Sequence, residues 1–418
     1  QKRGFELFIR SMWPEGASVS DVPPVRILRL NEVQLHNTGV LSMASVMNRG
    51  IFANLEELDL SSNKITEKGI MLLCDAFSRY SCPNLRKLAI SDNFISVGHL
   101  VPLFSALAEG CCPLLSELAF AHTGIGQEDL EACVSYLETP YAENLTRLNL
   151  SNNPQVTPAL PALFRALQKG CCNGVKTLLL EGVSLASLEI EELAQWLLSG
   201  KASKLHALIL RCNLLDEQAF RLLLETMIDS RCPRLSALDF SSNLIGSFNE
   251  EKWLAILSKD GEEVLFEQVD FSFNPLTDND MRLLLMFLSR FSRVDRIQRI
   301  AFAGNQITAE TFNFLFKAIP EEVSALDFLS IDSCSLQGVG VYFSEFLGTG
   351  AARNLTSLSL RDCGLTKRDV FLIMDGLDKG ICVRLATLRL DGNPEIDDEF
   401  VVRFLKSYEE RQSLPALS

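Results

Sequence analysis

An eleven-residue motif recurs along this chain, and it constrains the fold more than any other feature of the sequence. Residues 55–65 read Leu-x-x-Leu-x-Leu-x-x-Asn-x-Ile, and residues 85–95 repeat the pattern thirty residues later. A fixed period of this length predicts a stack of small units, each of which buries its apolar face against the next. The first apolar residues of the thirteen copies, which we call anchors, are Val25, Leu55, Leu85, Leu115, Leu145, Val175, Leu205, Leu235, Phe266, Ile297, Leu326, Leu355 and Leu385.

The residue eight positions after each anchor is predicted to lie in a turn. Ten of these thirteen residues are asparagine or cysteine. An asparagine amide both donates and accepts hydrogen bonds, so a stacked row of them would satisfy backbone groups that stacking buries. The residues are Val33, Asn63, Asn93, Thr123, Asn153, Val183, Asn213, Asn243, Asn274, Asn305, Cys334, Cys363 and Asn393.

The second half of each repeat is predicted to be helical, because apolar residues recur there about 22 positions after the anchor. Adjacent strands pair at about 4.8 Å, whereas packed helices need about 8–10 Å, so the stack should curve with its parallel sheet inside. The predicted helix residues are Met47, Phe77, Leu107, Leu137, Leu167, Leu197, Met227, Leu257, Leu288, Ile319, Leu347 and Leu377, with Ser407 in the last repeat.

The two ends of the chain do not carry the repeat. Residues 1–24 place apolar side chains at helical spacing, which predicts an N-terminal helical cap over the first repeat. The repeats then occupy residues 25–407, and residues 408–418 form a polar C-terminal tail or cap. Because the chain begins at Gln1, we expect a processed or trimmed product whose original targeting segment is not visible.

Composition excludes several classes of function. The net charge of −14 argues against nucleic-acid binding, which requires a basic surface, and also against anionic membrane surfaces. No apolar run approaches the roughly 18 residues of a spanning helix, so no membrane insertion is expected. Five of the twelve cysteines lie three residues before an anchor, where other repeats have alanine or phenylalanine. This pattern favours buried, reduced thiols and an intracellular, cytoplasmic protein, with disulfide bridging between repeats as the alternative.

The period, the Asn/Cys turn and the helical second half together resemble the ribonuclease-inhibitor-like subfamily of leucine-rich-repeat proteins, over about residues 25–407. That subfamily includes the ribonuclease inhibitor, the Ran GTPase-activating protein, actin-regulatory proteins and sensor domains of intracellular immune receptors. The resemblance implies an α/β fold: a right-handed leucine-rich-repeat solenoid, or horseshoe, of about 13 repeats of 29–31 residues. Its parallel sheet would be concave and its helices convex. It also implies that a protein partner binds the concave face or its rim.

The sequence contains no constellation of catalytic residues. The four histidines, His36, His99, His122 and His206, fall in different repeats, so they predict no zinc site or catalytic triad. We therefore predict a non-catalytic interaction scaffold without cofactor or metal. One alternative is a GTPase activator resembling the Ran-specific one, which acts on a small GTPase and needs no catalytic group of its own class. Another is the recognition or sensor domain of a larger intracellular receptor or effector.

One candidate contact lies on strand positions predicted to face the concavity. Asp239 and Asp270 occupy equivalent positions on neighbouring parallel strands, which places like charges about 5 Å apart. Arginines in flanking repeats could compensate them, and two phenylalanines lie close in the pattern. We expect these residues to contact a partner with basic groups; the alternative is a solvated charge cluster with two half-buried phenylalanines. The candidate set is Arg211, Asp239, Asp270, Phe273, Arg299 and Phe328.

A second candidate patch lies in the last three repeats. Its charges are mixed, so the alternatives are a binding surface and a set of internal ion pairs. The residues are Asp332, Arg361, Asp362, Arg389 and Asp391.

Overall fold

The computed structural model describes residues 24–229, 232–261, 263–264, 266–292, 294–319, 324–397, 399–400 and 402. The predicted N-terminal cap, apart from residue 24, and the predicted tail at 408–418 lie outside the described residues, as does Ser407. The chain divides into two compact units, residues 1–235 and residues 236–418.

In the first unit each described repeat consists of a three-residue strand, a turn and a helix. Short 3-10 turns at Pro140–Ala142 and Pro154–Ala159 precede β5 and α5 respectively. The strands are β1 (Ile27–Arg29), β2 (Glu57–Asp59), β3 (Lys87–Ala89), β4 (Glu117–Ala119), β5 (Arg147–Asn149), β6 (Thr177–Leu179) and β7 (Ala207–Ile209). The helices are α1 (His36–Asn48), α2 (Glu67–Ser78), α3 (Val101–Ala108), α4 (Gln127–Leu137), α5 (Leu160–Lys169), α6 (Ser187–Leu198) and α7 (Glu217–Asp229).

The second unit repeats the same arrangement. Short 3-10 turns at Val294–Arg296 and Gly350–Ala352 precede β10 and β12. The strands are β8 (Ala237–Asp239), β9 (Gln268–Asp270), β10 (Arg299–Ala301), β11 (Phe328–Ser330), β12 (Ser357–Ser359) and β13 (Thr387–Arg389). The helices are α8 (Glu250–Leu257), α9 (Asp278–Phe291), α10 (Ala309–Ala318), α11 (Gly340–Leu347) and α12 (Lys367–Leu377).

The strands of each unit pair in parallel, in chain order, and in register with the repeat. In the first unit Leu28 is opposite Leu58, and Leu58 is opposite Leu88. Every described strand begins two residues after its predicted anchor. The middle strand residue is buried in β1 to β12, as in Leu58, because it faces the helices, whereas its two neighbours face the opposite side. The predicted α/β leucine-rich-repeat solenoid with its parallel sheet is thereby confirmed.

The predicted asparagine ladder forms the interior of the turns. The Nδ2 atom of Asn63 donates to the carbonyl oxygens of Leu30 and Leu60 at 2.6 and 3.0 Å. Its Oδ1 atom accepts from the backbone N–H groups of Val33 and Leu35 at 3.2 and 3.0 Å. One amide therefore joins two repeats, and the neighbouring asparagines repeat the arrangement.

Buried aspartates provide a second connection between repeats. Asp369, near the start of α12, is 2% exposed and accepts from the N–H groups of Gly338 and Gly340 in the preceding repeat. Asp129 in α4 and Asp280 in α9 make equivalent contacts with the repeats before them. A carboxylate that accepts several backbone N–H bonds is stabilised in its charged form despite burial.

Candidate functional site

The best-defined contact of the first candidate set joins Arg299 and Phe328. The two residues are register partners on β10 and β11. The guanidinium carbon of Arg299 lies 4.1 Å from the ring centroid of Phe328, a distance at which the cation is attracted to the face of the ring. Arg299 is exposed and Phe328 is half-buried. The second unit therefore presents a positive charge on an aromatic platform at the outward face of its sheet.

Asp239 and Asp270 are register partners on β8 and β9, as the spacing predicts. Each carboxylate accepts from a serine two residues later in the chain. Asp239 Oδ1 accepts from the backbone N–H of Ser241 at 2.9 Å and from its hydroxyl at 2.6 Å. Asp270 Oδ1 accepts from the backbone N–H of Ser272 at 2.8 Å. These bonds close the end of each strand and offset the repulsion between the two charges.

The same contact at the end of a strand recurs in the first unit. The spacing of the anchors did not predict it, although it has a sequence pattern of its own. Asp59 and Asn149 accept from the N–H groups of Ser61 and Ser151, both at 3.0 Å. The shared pattern is an aspartate or asparagine two residues before a serine. It gives these acidic residues a structural role in addition to any role in binding.

The two arginines expected to balance Asp239 and Asp270 each have a neighbour of a different kind as well. Arg299 lies over Phe328, as described above. Arg211 belongs to the first unit, where its Nε atom lies 3.7 Å from a carboxylate oxygen of Glu181. The six candidate residues are thus divided between the two units, with Arg211 in the first and the other five in the second.

Phe273 is the most unusual residue of the candidate set. Its side chain is 58% exposed, and its φ angle of +56° lies in the left-handed region, which bulky residues rarely adopt. Its N–H donates to the carbonyl of Ala303 at 2.6 Å. The ring lies against Gly304, where an added Cβ would come within 2.4 Å of Phe273 Cδ1. Ser62 and Asp92 have nearly the same φ at the equivalent position of their repeats, so this conformation belongs to the repeat turn and the exposed ring is what distinguishes Phe273.

The second candidate patch is largely paired within itself. The Nε atom of Arg361 donates to a carboxylate oxygen of Asp391, and its backbone N–H donates to Asp332 Oδ1 at 2.9 Å. A hydrogen bond from its own N–H, together with Arg361, lowers the pKa of Asp391. Asp362 has a φ of +54° and places its carboxylate where a side chain on residue 392 would lie, and Arg389 is exposed at the end of β13.

The sheet of the first unit contains a depression that sequence reasoning missed. Its volume is about 370 Å³, and it opens where Ala89 and Ala119 leave space on adjacent strands. Asp59 and Asn149 lie on either side of the two alanines, and charged residues line the next row. The small side chains of the two alanines leave this space open at the sheet face.

The charged row beside the depression consists of Glu57, Lys87, Glu117 and Arg147 on four successive strands. The carboxylate of Glu57 is paired with two cations, because Lys87 Nζ lies 3.0 Å from it and Arg29 donates two hydrogen bonds of 2.9 Å to it. The bonds to Arg29 lower the pKa of Glu57 despite its partial burial. The side chains of Glu117 and Arg147 form no ion pair or hydrogen bond with any described residue, although the two are register partners.

Nine of the twelve cysteines are buried and act as packing residues. All twelve are free, and Cys82, Cys112, Cys172 and Cys382 are buried as the spacing predicts, whereas Cys232 is half-buried. Burial raises the pKa of the Cys82 and Cys172 thiols to about 12. These thiols stay protonated at neutral pH and are therefore poor nucleophiles.

Among the residues that the structure describes, no cluster of three or more histidine, cysteine or acidic side chains could hold a metal ion. In the same residues no helix combines the length and the apolar character needed to cross a membrane.

Comparisons with known proteins agree with the fold. The sequence model of the family described as Leucine Rich repeat matches residues 53–74. The structure is similar to that of an internalin from Listeria monocytogenes, with 16% identity, a TM-score of 0.50, and coverage of 96% of this chain and 91% of that one. A leucine-rich-repeat protein from Leptospira interrogans is similar at 15% identity and a TM-score of 0.45, with coverage of 89% and 85%. A plant peptide hormone receptor, solved in complex with RGF2, aligns at 14% identity and a TM-score of 0.39, with coverage of 90% and 64%.

No curated protein sequence matches the chain. At 16% identity the likeness to the internalin shows the fold and no activity. The motif, the parallel strand order and the internalin alignment agree with one another. The chain therefore has the leucine-rich-repeat solenoid fold.

Proposed function

We propose that this chain is a non-catalytic recognition module that binds a protein partner through the outward face of its parallel sheet. The observation that carries the proposal is the depression over Ala89 and Ala119. It is bordered by the carboxylate of Glu117 and the guanidinium of Arg147, which have no partner among the described residues. Charges held at a surface without a partner are available to complementary groups on another protein.

A second contact on the same kind of face, in the second unit, supports the proposal. Aromatic residues and arginine dominate the energetics of protein interfaces, and Arg299, Phe328 and Phe273 provide both. Asp239 and Asp270 favour a partner group that carries positive charge. We include Arg211, in the first unit, as a further contact residue.

We also propose that the chain belongs to the ribonuclease-inhibitor-like subfamily and is a cytoplasmic protein. Twelve described repeats have an α-helix in their second half, which supports the ribonuclease-inhibitor-like subfamily. The free, mostly buried thiols support an intracellular, cytoplasmic compartment.

A charge exchange tests the sheet-face proposal without changing the net charge. Glu117→Arg/Arg147→Glu replaces two outward side chains, so the free energy of unfolding should change by less than about 0.5 kcal/mol. The matched control is Lys68→Glu/Glu131→Arg on the exposed surfaces of α2 and α4. Proteins captured from a lysate by the immobilised wild type would be identified by mass spectrometry and then titrated against all three forms.

We expect the partner to bind the control variant like the wild type and to bind the exchanged variant about tenfold or more weakly. Equal binding by all three forms would remove the sheet face of the first unit as the binding site. A GTP-hydrolysis assay with a panel of small GTPases tests the recognition role itself, because stimulation above the intrinsic rate would make the chain a GTPase activator.

A further inference from the structure

A groove on the helix side of the second unit combines apolar walls with a basic rim. It lies between α8, α9 and α10, away from the sheet face, and has a volume of about 690 Å³. Its floor and walls include Leu257, Leu285, Met286 and Phe314. The groove is thus a concave apolar surface built from three consecutive helices.

Two apolar side chains of the groove are exposed to solvent. Met286 is 41% exposed and Phe314 is 46% exposed, while Leu285 beneath them is 6% exposed. Leu257 occupies the helix position that is buried in Met47 and in most other repeats, yet it is half-buried here. A contiguous exposed apolar surface with a buried floor is typical of a docking site.

The rim of the groove is basic. Arg282, Arg290 and Lys317 line it, and no aspartate or glutamate does so among the described residues. The Nη2 atom of Arg290 donates to the carbonyl of Lys259 at 2.8 Å, which fixes its position at the edge. Arg282 is partly neutralised by Glu250 at 2.7 Å, whereas Lys317 has no ion pair with a described residue. In a chain of net charge −14, this local excess of positive charge is a specific feature of the groove.

We propose that this groove is a second docking site, which takes an acidic amphipathic segment of a partner protein. Apolar side chains of the segment would enter between Met286 and Phe314, and its aspartates or glutamates would meet Arg290 and Lys317. An amphipathic helix laid into an apolar groove is an established mode of recognition, and charge complementarity at the rim fixes its orientation.

An anionic membrane is the less favoured occupant. A bilayer surface presents no protruding side chains to fill a groove with a buried floor, and the net charge of −14 repels anionic lipid. The proposed site is independent of the sheet face, so neither proposal depends on the other.

The test uses the full chain and a panel of fluorescein-labelled peptides of about four helical turns. Each peptide carries leucine and phenylalanine on one helical face and aspartate and glutamate on the other. A matched panel replaces every acidic residue with glutamine. The groove variant is Arg290→Glu/Lys317→Glu, and the control is Lys68→Glu/Arg86→Glu, which makes the same charge change at exposed residues of the first unit. A third variant, Met286→Gln/Phe314→Gln, removes the apolar walls while keeping the rim charges.

Fluorescence anisotropy should show that an acidic peptide binds the wild type and the control equally, and binds both groove variants about tenfold more weakly. The glutamine peptides should bind the wild type more weakly than the acidic ones. The Glu117→Arg/Arg147→Glu variant should bind the acidic peptide like the wild type, which separates this site from the sheet face. The proposal is overturned by equal binding to all variants, by no binding to the wild type, or by binding of the chain to phosphatidylserine vesicles that is lost in the groove variants while no peptide binds.

Discussion

Asn63 in the first unit and Cys363 in the second occupy the same position in their repeats, eight residues after the anchor, but they contact their surroundings differently. The amide of Asn63 takes part in five hydrogen bonds. Its Oδ1 atom accepts from two backbone N–H groups of the preceding turn, and its Nδ2 atom donates to three carbonyl oxygens. The thiol of Cys363 lies 3.1 Å from the carbonyl oxygens of Ile331 and Arg361, and a thiol is only a weak donor. The asparagine therefore organises two turns, whereas the cysteine mainly fills a buried position.

The second unit connects the repeats around Cys363 in another way. Asp369, in the same repeat as Cys363, accepts from the backbone of the preceding repeat through Gly338 and Gly340. In the first unit Asp129 accompanies Thr123 in the same manner, and Thr123 also lacks an amide. At these two positions a buried aspartate a few residues later also joins the repeats.

The largest effect should come from removing an amide of the ladder. In Asn93→Ala, the carbonyl groups of Leu60 and Ile90 lose their donor, and the N–H groups of Asn63 and Ile65 lose their acceptor. These groups are buried, so the free energy of unfolding should fall by on the order of 3 kcal/mol. Urea unfolding followed by circular dichroism measures the change. A loss below about 1 kcal/mol would show that water or relaxation satisfies the turn without the amide.

The fold could be predicted from the sequence because its determinants repeat. Leu55 and Leu58 recur with a fixed spacing, and β2 begins at Glu57, where that spacing places it. Asn63 was assigned to a hydrogen-bonded turn because its amide can donate and accept, and the structure shows both functions. Where the same residue type recurs, as in Asn63 and Asn93, it makes the same contacts, so one correct assignment extends to the other copies.

The candidate binding sites could be predicted only in part, because they depend on which neighbours individual side chains contact. Spacing placed Asp239 beside Asp270 but did not show that serines hold both carboxylates. It also could not show that Lys87 turns to Glu57 and leaves Glu117 without a partner among the described residues. Such side-chain contacts depend on rotamers and local geometry, which a repeat pattern does not encode.

An intermediate effect is expected for the aspartate that connects the repeats around Cys363. Burial acts to raise the pKa of Asp369, but hydrogen bonds from Thr366, Gly340 and Gly338 outweigh it and lower the pKa below its usual value. A carboxyl whose pKa is lowered on folding stabilises the fold above its unfolded pKa, and this contribution disappears as the pH falls through the folded pKa. Asp369→Asn should therefore cost about 2 kcal/mol at pH 7 and progressively less toward pH 3.

Urea unfolding of the wild type and Asp369→Asn at several pH values measures this dependence. Asp75→Asn, at an exposed residue of α2, is the control for removing a carboxylate without removing an inter-repeat contact. A cost for Asp369→Asn that is independent of pH would mean that side-chain shape, rather than the charged acceptor, holds the two repeats together.

The smallest effect should come from the cysteine itself. Cys363 is 1% exposed, and Cys363→Ala removes one sulfur atom and a weak donor while the backbone N–H of residue 363 keeps its bond to Asn393. The free energy of unfolding should therefore fall by about 1 kcal/mol, well below the loss in Asn93→Ala. The two variants are compared in the same urea titration. If they lost equal stability, burial at this position rather than amide bonding would hold the turn, and the contrast between Asn63 and Cys363 would carry no energetic meaning.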